Sequence, residues 1–182
     1  MFHQVEGRGL RLFFALPLPE GLAAALEGWR QGYPGIEGWC ASADLHLTLA
    51  FLGHRPPLIL PGLEALGASV AARHRIFSLQ TAALGSFSKH PTTRLLWLGL
   101  DPARALEALA EDLRRALLAA GESLDTRPFH PHLTLARFKQ AQPFAAFADP
   151  PARAFAADRL VLFESRPRGH HTPLGTWPLR GV

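Results

Sequence analysis

Apolar and polar residues alternate every second position in two stretches of this chain, and the two stretches are nearly identical. They read His46-Leu-Thr48-Leu-Ala and His132-Leu-Thr134-Leu-Ala. Alternation of period two is the mark of a strand with one buried face, because successive side chains point to opposite sides. Each stretch therefore turns His and Thr to one face and its leucines to the other. The first strand is expected from about Asp44 to Leu52, stopped by Gly53, and the second from Pro131 to about Phe138. Elsewhere Arg11–Leu16, Arg94–Leu100 and Arg159–Glu164 read as strands, Arg75–Leu84 as an extended stretch, and Leu174–Leu179 as a closing one.

Helical spacing appears in three segments. Leu22, Ala23, Leu26 and Trp29 predict a helix from Glu20 to about Arg30, ended by the Gly32, Pro34, Gly35 and Gly38 cluster. A second is expected over about Gly62–His74. The third carries Leu106, Leu109, Leu113 and Leu117, with Asp101 as N-cap, Pro102 in the first turn and Gly121 as its stop. A Pro- and Ala-rich loop is expected over Gln140–Arg153.

The order strand, helix, His-x-Thr strand occurs twice. Arg11 matches Arg94 at an offset of 83 residues, and His46 matches His132 at 86. Such spacing points to an internal duplication: an α+β fold of two lobes related by a pseudo-two-fold, in which the two equivalent strands meet across a central groove. Its 182 residues suit one domain with a sizeable core, so 1–182 is read as one bilobal unit.

Composition narrows the field. With 48% hydrophobic and 19% charged residues the chain is globular rather than disordered. The net charge of +4 and a pI near 10.2, carried mostly by arginine, are compatible with a polyanionic partner. A single cysteine, Cys40, excludes an intrachain disulfide and a cysteine-built metal site, and a reducing, cytoplasmic setting fits. No signal core opens the sequence and no apolar run is long enough to span a membrane.

Two imidazoles on matched strands supply what a paired acid and base require, since imidazole gains or loses a proton near neutrality. The Thr48 and Thr134 hydroxyls, two residues along the same faces, suit the non-bridging oxygens of a phosphate. Arg137 ends the second motif. In a regular strand it faces away from His132, and a bulge is needed to bring it round. Lys89 and Arg94 are further candidates to flank the groove, and of Phe13 and Phe14 one is expected in the core and the other available to stack on a base. His130 and His132 form a His-x-His pair, but no acidic or Cys partner stands at fitting spacing, so no metal site is expected. The adjacent His170 and His171 border the site or lie in an exposed segment.

At these residues the chain resembles the 2H phosphoesterase superfamily, and within it the RNA 2',3'-cyclic phosphodiesterases, also called 2'-5' RNA ligases. The resemblance is carried by Arg11-Leu-Phe-Phe-Ala-Leu-Pro-Leu-Pro19, Leu45-His-Leu-Thr-Leu-Ala-Phe-Leu-Gly53, Arg94-Leu-Leu-Trp-Leu-Gly99 and Arg127-Pro-Phe-His-Pro-His-Leu-Thr-Leu-Ala-Arg137. It implies two antiparallel sheets flanking a basic cleft. It implies hydrolysis of an RNA terminal 2',3'-cyclic phosphate to a 2'-phosphomonoester, with reverse 2'-5' ligation possible. His46 is then the proton donor and His132 the proton acceptor, Thr48, Thr134 and Arg137 bind substrate, no metal or other cofactor takes part, and the partner is an RNA end met by a monomer. The family often has an Arg-Tyr pair before a Thr-Pro-Leu-like string, where this chain has His170-His171 before Thr172-Pro173-Leu174. Two other readings remain open on the residues: a noncatalytic protein that binds RNA ends, and a phosphodiesterase for small cyclic nucleotides.

Overall fold

The structure, a computed structural model, describes residues 9–88, 91–166, 169 and 171–181. Lys89 and His170, singled out above, lie outside them.

Among the described residues eight strands and three α-helices follow one another as β1 (Leu10–Pro17), α1 (Glu20–Arg30), β2 (His46–Arg55), α2 (Leu60–Ala71), β3 (Phe77–Gly85), β4 (Thr92–Leu100), α3 (Arg104–Ala119), β5 (His132–Pro143), β6 (Ala154–Ala157), β7 (Arg159–Ser165) and β8 (His171–Pro178). The fold is α+β with a curled antiparallel sheet in the order β6-β3-β4-β5-β2-β1-β7-β8. Where the family resemblance implies two sheets, the hydrogen bonding joins all eight strands. The junction is narrow, because β2 and β5 meet at the single pair Leu47 and Leu133. Beyond it the segment around Trp39 takes over the edge of β5: Cys40 N–H donates to the Leu135 carbonyl and Arg137 N–H to the Gly38 carbonyl.

The helices pack on one face of the sheet. Leu106, Leu109, Leu113 and Leu117 of α3, Leu63 and Val70 of α2 and Leu22 and Leu26 of α1 join Leu12, Phe14, Leu16, Leu47, Leu98 and Leu133 in one core. The stripe on α3 has the three- and four-residue steps of an amphipathic helix, and so the sequence announced it. A smaller core of Leu96, Ala136, Phe138 and Phe147 is walled by Trp29, Tyr33 and Trp39.

Several boundaries differ from those expected. Asp101 does not cap α3. Its backbone N–H donates to the Gln80 carbonyl and so prolongs the β3–β4 ladder, and the helix begins at Arg104 after Ala103. Gly53 does not stop β2. It pairs with Leu12 and carries the strand on to Arg55 with φ +74°. Strand β6, Ala-Phe-Ala-Ala, has no strong strand former except Phe155 and was not expected. It is held as an edge strand on β3. The repeat also shifts by one: Phe13 and Leu95 are the equivalent residues, opposite Phe51 and Arg137, so the β1-to-β4 offset is 82 and Arg94 is not the counterpart of Arg11. A match by residue type alone slipped one position, which in a strand exchanges the faces.

Candidate active site

β2 and β5 lie antiparallel with Leu47 opposite Leu133. His46 therefore falls beside Thr134, and Thr48 beside His132, on the face turned away from the helices. Two residue rises and one inter-strand spacing put the two histidine Cα atoms roughly 8 Å apart across that diagonal. All four side chains are half-buried.

Each imidazole is fixed in the same way. His46 Nδ1 lies 2.6 Å from the Asp44 carbonyl and His132 Nδ1 lies 2.7 Å from the His130 carbonyl. A carbonyl only accepts, so both Nδ1 atoms carry the proton and the neutral rings keep Nε2 as a base. The carbonyls are delivered by different local structures. Ser42–Asp44 is a short 3-10 turn, tied to α1 by the Ser42 hydroxyl on Glu27 Oε2 (2.5 Å), by Arg30 on the Cys40 carbonyl (3.0 Å) and by the Glu27–Arg30 ion pair. On the other side Pro131 keeps His130 extended. Backbone carbonyls leave no trace in residue type, so this anchoring is not legible from the residues alone.

Burial dominates the electrostatics of both rings. It pushes the His46 pKa from its ordinary 6.5 down to about 4. The Asp44 carbonyl works against this, while the His171 ring and the Arg137 charge add to it. His132 is lowered too, again chiefly by burial, opposed by the His130 carbonyl and helped by the His130 ring and Arg137. The charge of Arg137 thus reaches both imidazoles. It does so because Leu96 pairs with Ala136 but Trp97 pairs with Thr134, which leaves Leu135 as a bulge. The same irregularity recurs in β2, where Phe14 pairs with Ala50 and Ala15 with Thr48. One extra residue reverses the alternation, and Arg137 comes round to the face of His132.

Of the other candidates, Phe14 is fully buried in the core, and Phe13 is also only 3% exposed, so neither offers an open face to a base. Phe13 lies against the His46 ring (centroids 4.7 Å apart). The Arg94 guanidinium donates to the Lys139 carbonyl. His171, whose role the sequence left undecided, stands in the site: its ring meets His46 edge-on at 5.1 Å, and its backbone N–H donates to Asp44 Oδ1 at 3.1 Å. Asp44 thereby holds the start of β8 with its carboxylate and the His46 ring with its carbonyl.

Comparison with known proteins gives a consistent picture. A family profile described as the 2'-5' RNA ligase superfamily matches residues 18–168. A Geobacillus stearothermophilus protein named RNA 2',3'-cyclic phosphodiesterase is 39% identical over 93% of this chain, which spans 57% of that relative's length. The Escherichia coli K12 protein of the same name is 35% identical over 93% of this chain and 96% of its own. The crystal structure of E. coli LigT in apo form superposes with a TM-score of 0.80 at 32% identity, covering 96% of this chain and 99% of that one.

Proposed function

We propose, for a chain that belongs to the 2'-5' RNA ligase superfamily, that it hydrolyses the 2',3'-cyclic phosphate at an RNA 3' end to a 2'-phosphomonoester. The observation that carries this reading is the pair of imidazoles, anchored alike through Nδ1 and set on one face either side of the Leu47–Leu133 bridge. His132 Nε2 takes a proton from water as it attacks phosphorus. His46 supplies a proton to the departing 3' oxygen. Each role typically contributes ~10²–10⁴-fold.

Burial lowers both imidazole pKa values and so keeps both rings neutral at rest, and the division of labour between them is the one the family resemblance implies. The Thr48 and Thr134 hydroxyls donate to the non-bridging oxygens, and the Arg137 guanidinium offsets the charge that grows on them in the transition state. The reaction needs no metal or nucleotide cofactor, and the reverse step with a 5'-hydroxyl gives a 2'-5' linkage. We further read 1–182 as one bilobal unit whose two wings flank the bound phosphate, acting as a cytoplasmic monomer. Among the described residues no helix is long and apolar enough to cross a membrane.

The test is turnover of a defined oligoribonucleotide ending in a 2',3'-cyclic phosphate, with chelator present and the product isomer identified. A 2'-phosphate is expected. A 3'-phosphate would overturn the identity of the leaving oxygen. Tight, salt-sensitive binding without turnover would favour an RNA-end-binding protein instead.

A further inference from the structure

The two imidazoles are equivalent in their strands and unequal in their surroundings. Beside His46 the rings close on one another: Phe13 lies against His46, Phe163 and His171 with centroids at 4.7, 5.3 and 5.0 Å. Beside His132 they open outward. Trp97 holds the position that Ala15 holds in the other wing, opposite Thr134 as Ala15 is opposite Thr48. Its indole lies over bare backbone. A Cβ at Gly85 would fall 2.1 Å from the ring, and one at Gly99 would sit 3.4 Å from it. Phe87 leans on Trp97 at 5.4 Å and 36°, and His130 meets the indole edge-on at 5.0 Å. Phe87 stands 5.2 Å from the His132 ring and is 57% exposed. Phe129, one residue before His130, is exposed as well. The result is an aromatic shelf on the outer side of His132, and among the described residues Ala15 rather than an indole holds the matching place beside His46.

We infer that Phe87, Trp97 and His130 form the subsite for a second nucleoside, the one whose 5'-hydroxyl replaces water as the attacking group. The inference rests on the roles proposed above, because only if His132 deprotonates the nucleophile does this shelf lie on the entry side of phosphorus. Aromatic faces accept any base by stacking, which suits an acceptor chosen without regard to sequence. In the transfer the 5'-oxygen–phosphorus bond forms and the phosphorus–3'-oxygen bond breaks. His132 takes the hydroxyl proton, and His46 gives one to the 3' oxygen. One cyclic diester and one alcohol become one acyclic 2',5'-diester with a free 3'-hydroxyl, and no other reactant is consumed.

The test supplies a 2',3'-cyclic phosphate donor with adenosine or with methanol and measures transfer to the alcohol against transfer to water. Both acceptors compete for the same phosphorus and the same His132, so the ratio cancels any effect of a substitution on that imidazole. Adenosine transfer is expected to saturate with concentration and methanol transfer to rise linearly. Phe87→Ala should lower the adenosine-to-water ratio about tenfold, the scale of one base–aromatic stack, leave the methanol-to-water ratio in place, and be rescued by Phe87→Tyr. Hydrolysis without adenosine transfer above the methanol level would overturn the subsite, and so would a ratio unmoved by Phe87→Ala. A wild-type protein inert toward the donor is a different result, one that contradicts the proposed hydrolysis itself and removes this inference with it.

Discussion

Burial and a backbone carbonyl pull the His46 imidazole in opposite directions, and burial wins, holding its pKa at about 4. His132 lies below 6.5 for the same reason. At pH 7 the free protein therefore holds both rings largely neutral, whereas the reaction needs one proton on the pair. The monoprotonated fraction falls as pH rises past the pair's upper apparent pKa. The kcat/KM for a cyclic-phosphate substrate should accordingly decline about tenfold per unit above pH ~6.5 and again below pH ~4. The kcat profile should keep its alkaline limb at higher pH, because a bound phosphate anion favours the imidazolium form. A kcat/KM flat from pH 6 to 8 would contradict the pairing. The four motif side chains were legible because period-two alternation puts His46 with Thr48 and His132 with Thr134 whatever else the fold does. His171 was not, because its place depends on where the start of β8 meets Asp44 in space.

The strands were legible, and their irregularities less so. Nothing in Leu47-Thr48-Leu49-Ala50 marks a bulge, yet the bulges at Leu49 and Leu135 decide which way the chain beyond each motif faces. Arg137 needs that turn to reach the imidazoles, and the sequence supplied only the condition. Gly38 is the tight contact behind it, with φ +101° and no room for a side chain, since a Cβ there would fall only 2.5 Å from the Arg137 carbonyl oxygen. Gly35 also has positive φ, at +80°, but open space around it. Gly35→Ala should therefore lose only the backbone cost, about 1 kcal/mol, in urea unfolding. Gly38→Ala should lose at least about 2 kcal/mol and also reduce turnover, since the backbone of Arg137 must retreat. Equal losses for the two would show that the crowding is relieved elsewhere. Asp101 illustrates the opposite failure. Its residue type suits a helix cap, but the backbone ladder to Gln80 claims it first.

At the scale of the whole molecule the duplication is interlocked. β3, from the first half of the chain, pairs with β4 and β6 of the second, while β7 from the second pairs with β1 of the first. Strands of each half are thus completed by strands of the other, so unfolding in urea should be one transition, coincident by circular dichroism and tryptophan fluorescence. That exchange was invisible in the sequence, where Arg75–Leu84 carries no sign of which strands it will pair with. Acid should weaken the whole. His46 titrates at about 4 in the fold and near 6.5 in the unfolded chain, so the unfolded chain binds its proton first as pH falls. The stability associated with the neutral ring is present above pH ~6.5 and is lost toward pH ~4, about 3 kcal/mol in all. His46→Gln should flatten that slope. An unchanged slope would place the buried imidazole elsewhere in the titration.

Most directly at issue is whether two imidazoles act together on one phosphorus. The deciding measurement is single-turnover hydrolysis of an oligoribonucleotide 2',3'-cyclic phosphate by the wild type, His46→Ala, His132→Ala and the double variant. Each single loss should lower the rate by 10²–10⁴-fold, and the double variant should fall little further than the worse single one, as residues acting as a unit do. Wild-type rates from either single variant, or losses that multiply independently in the double, would contradict a shared acid–base pair.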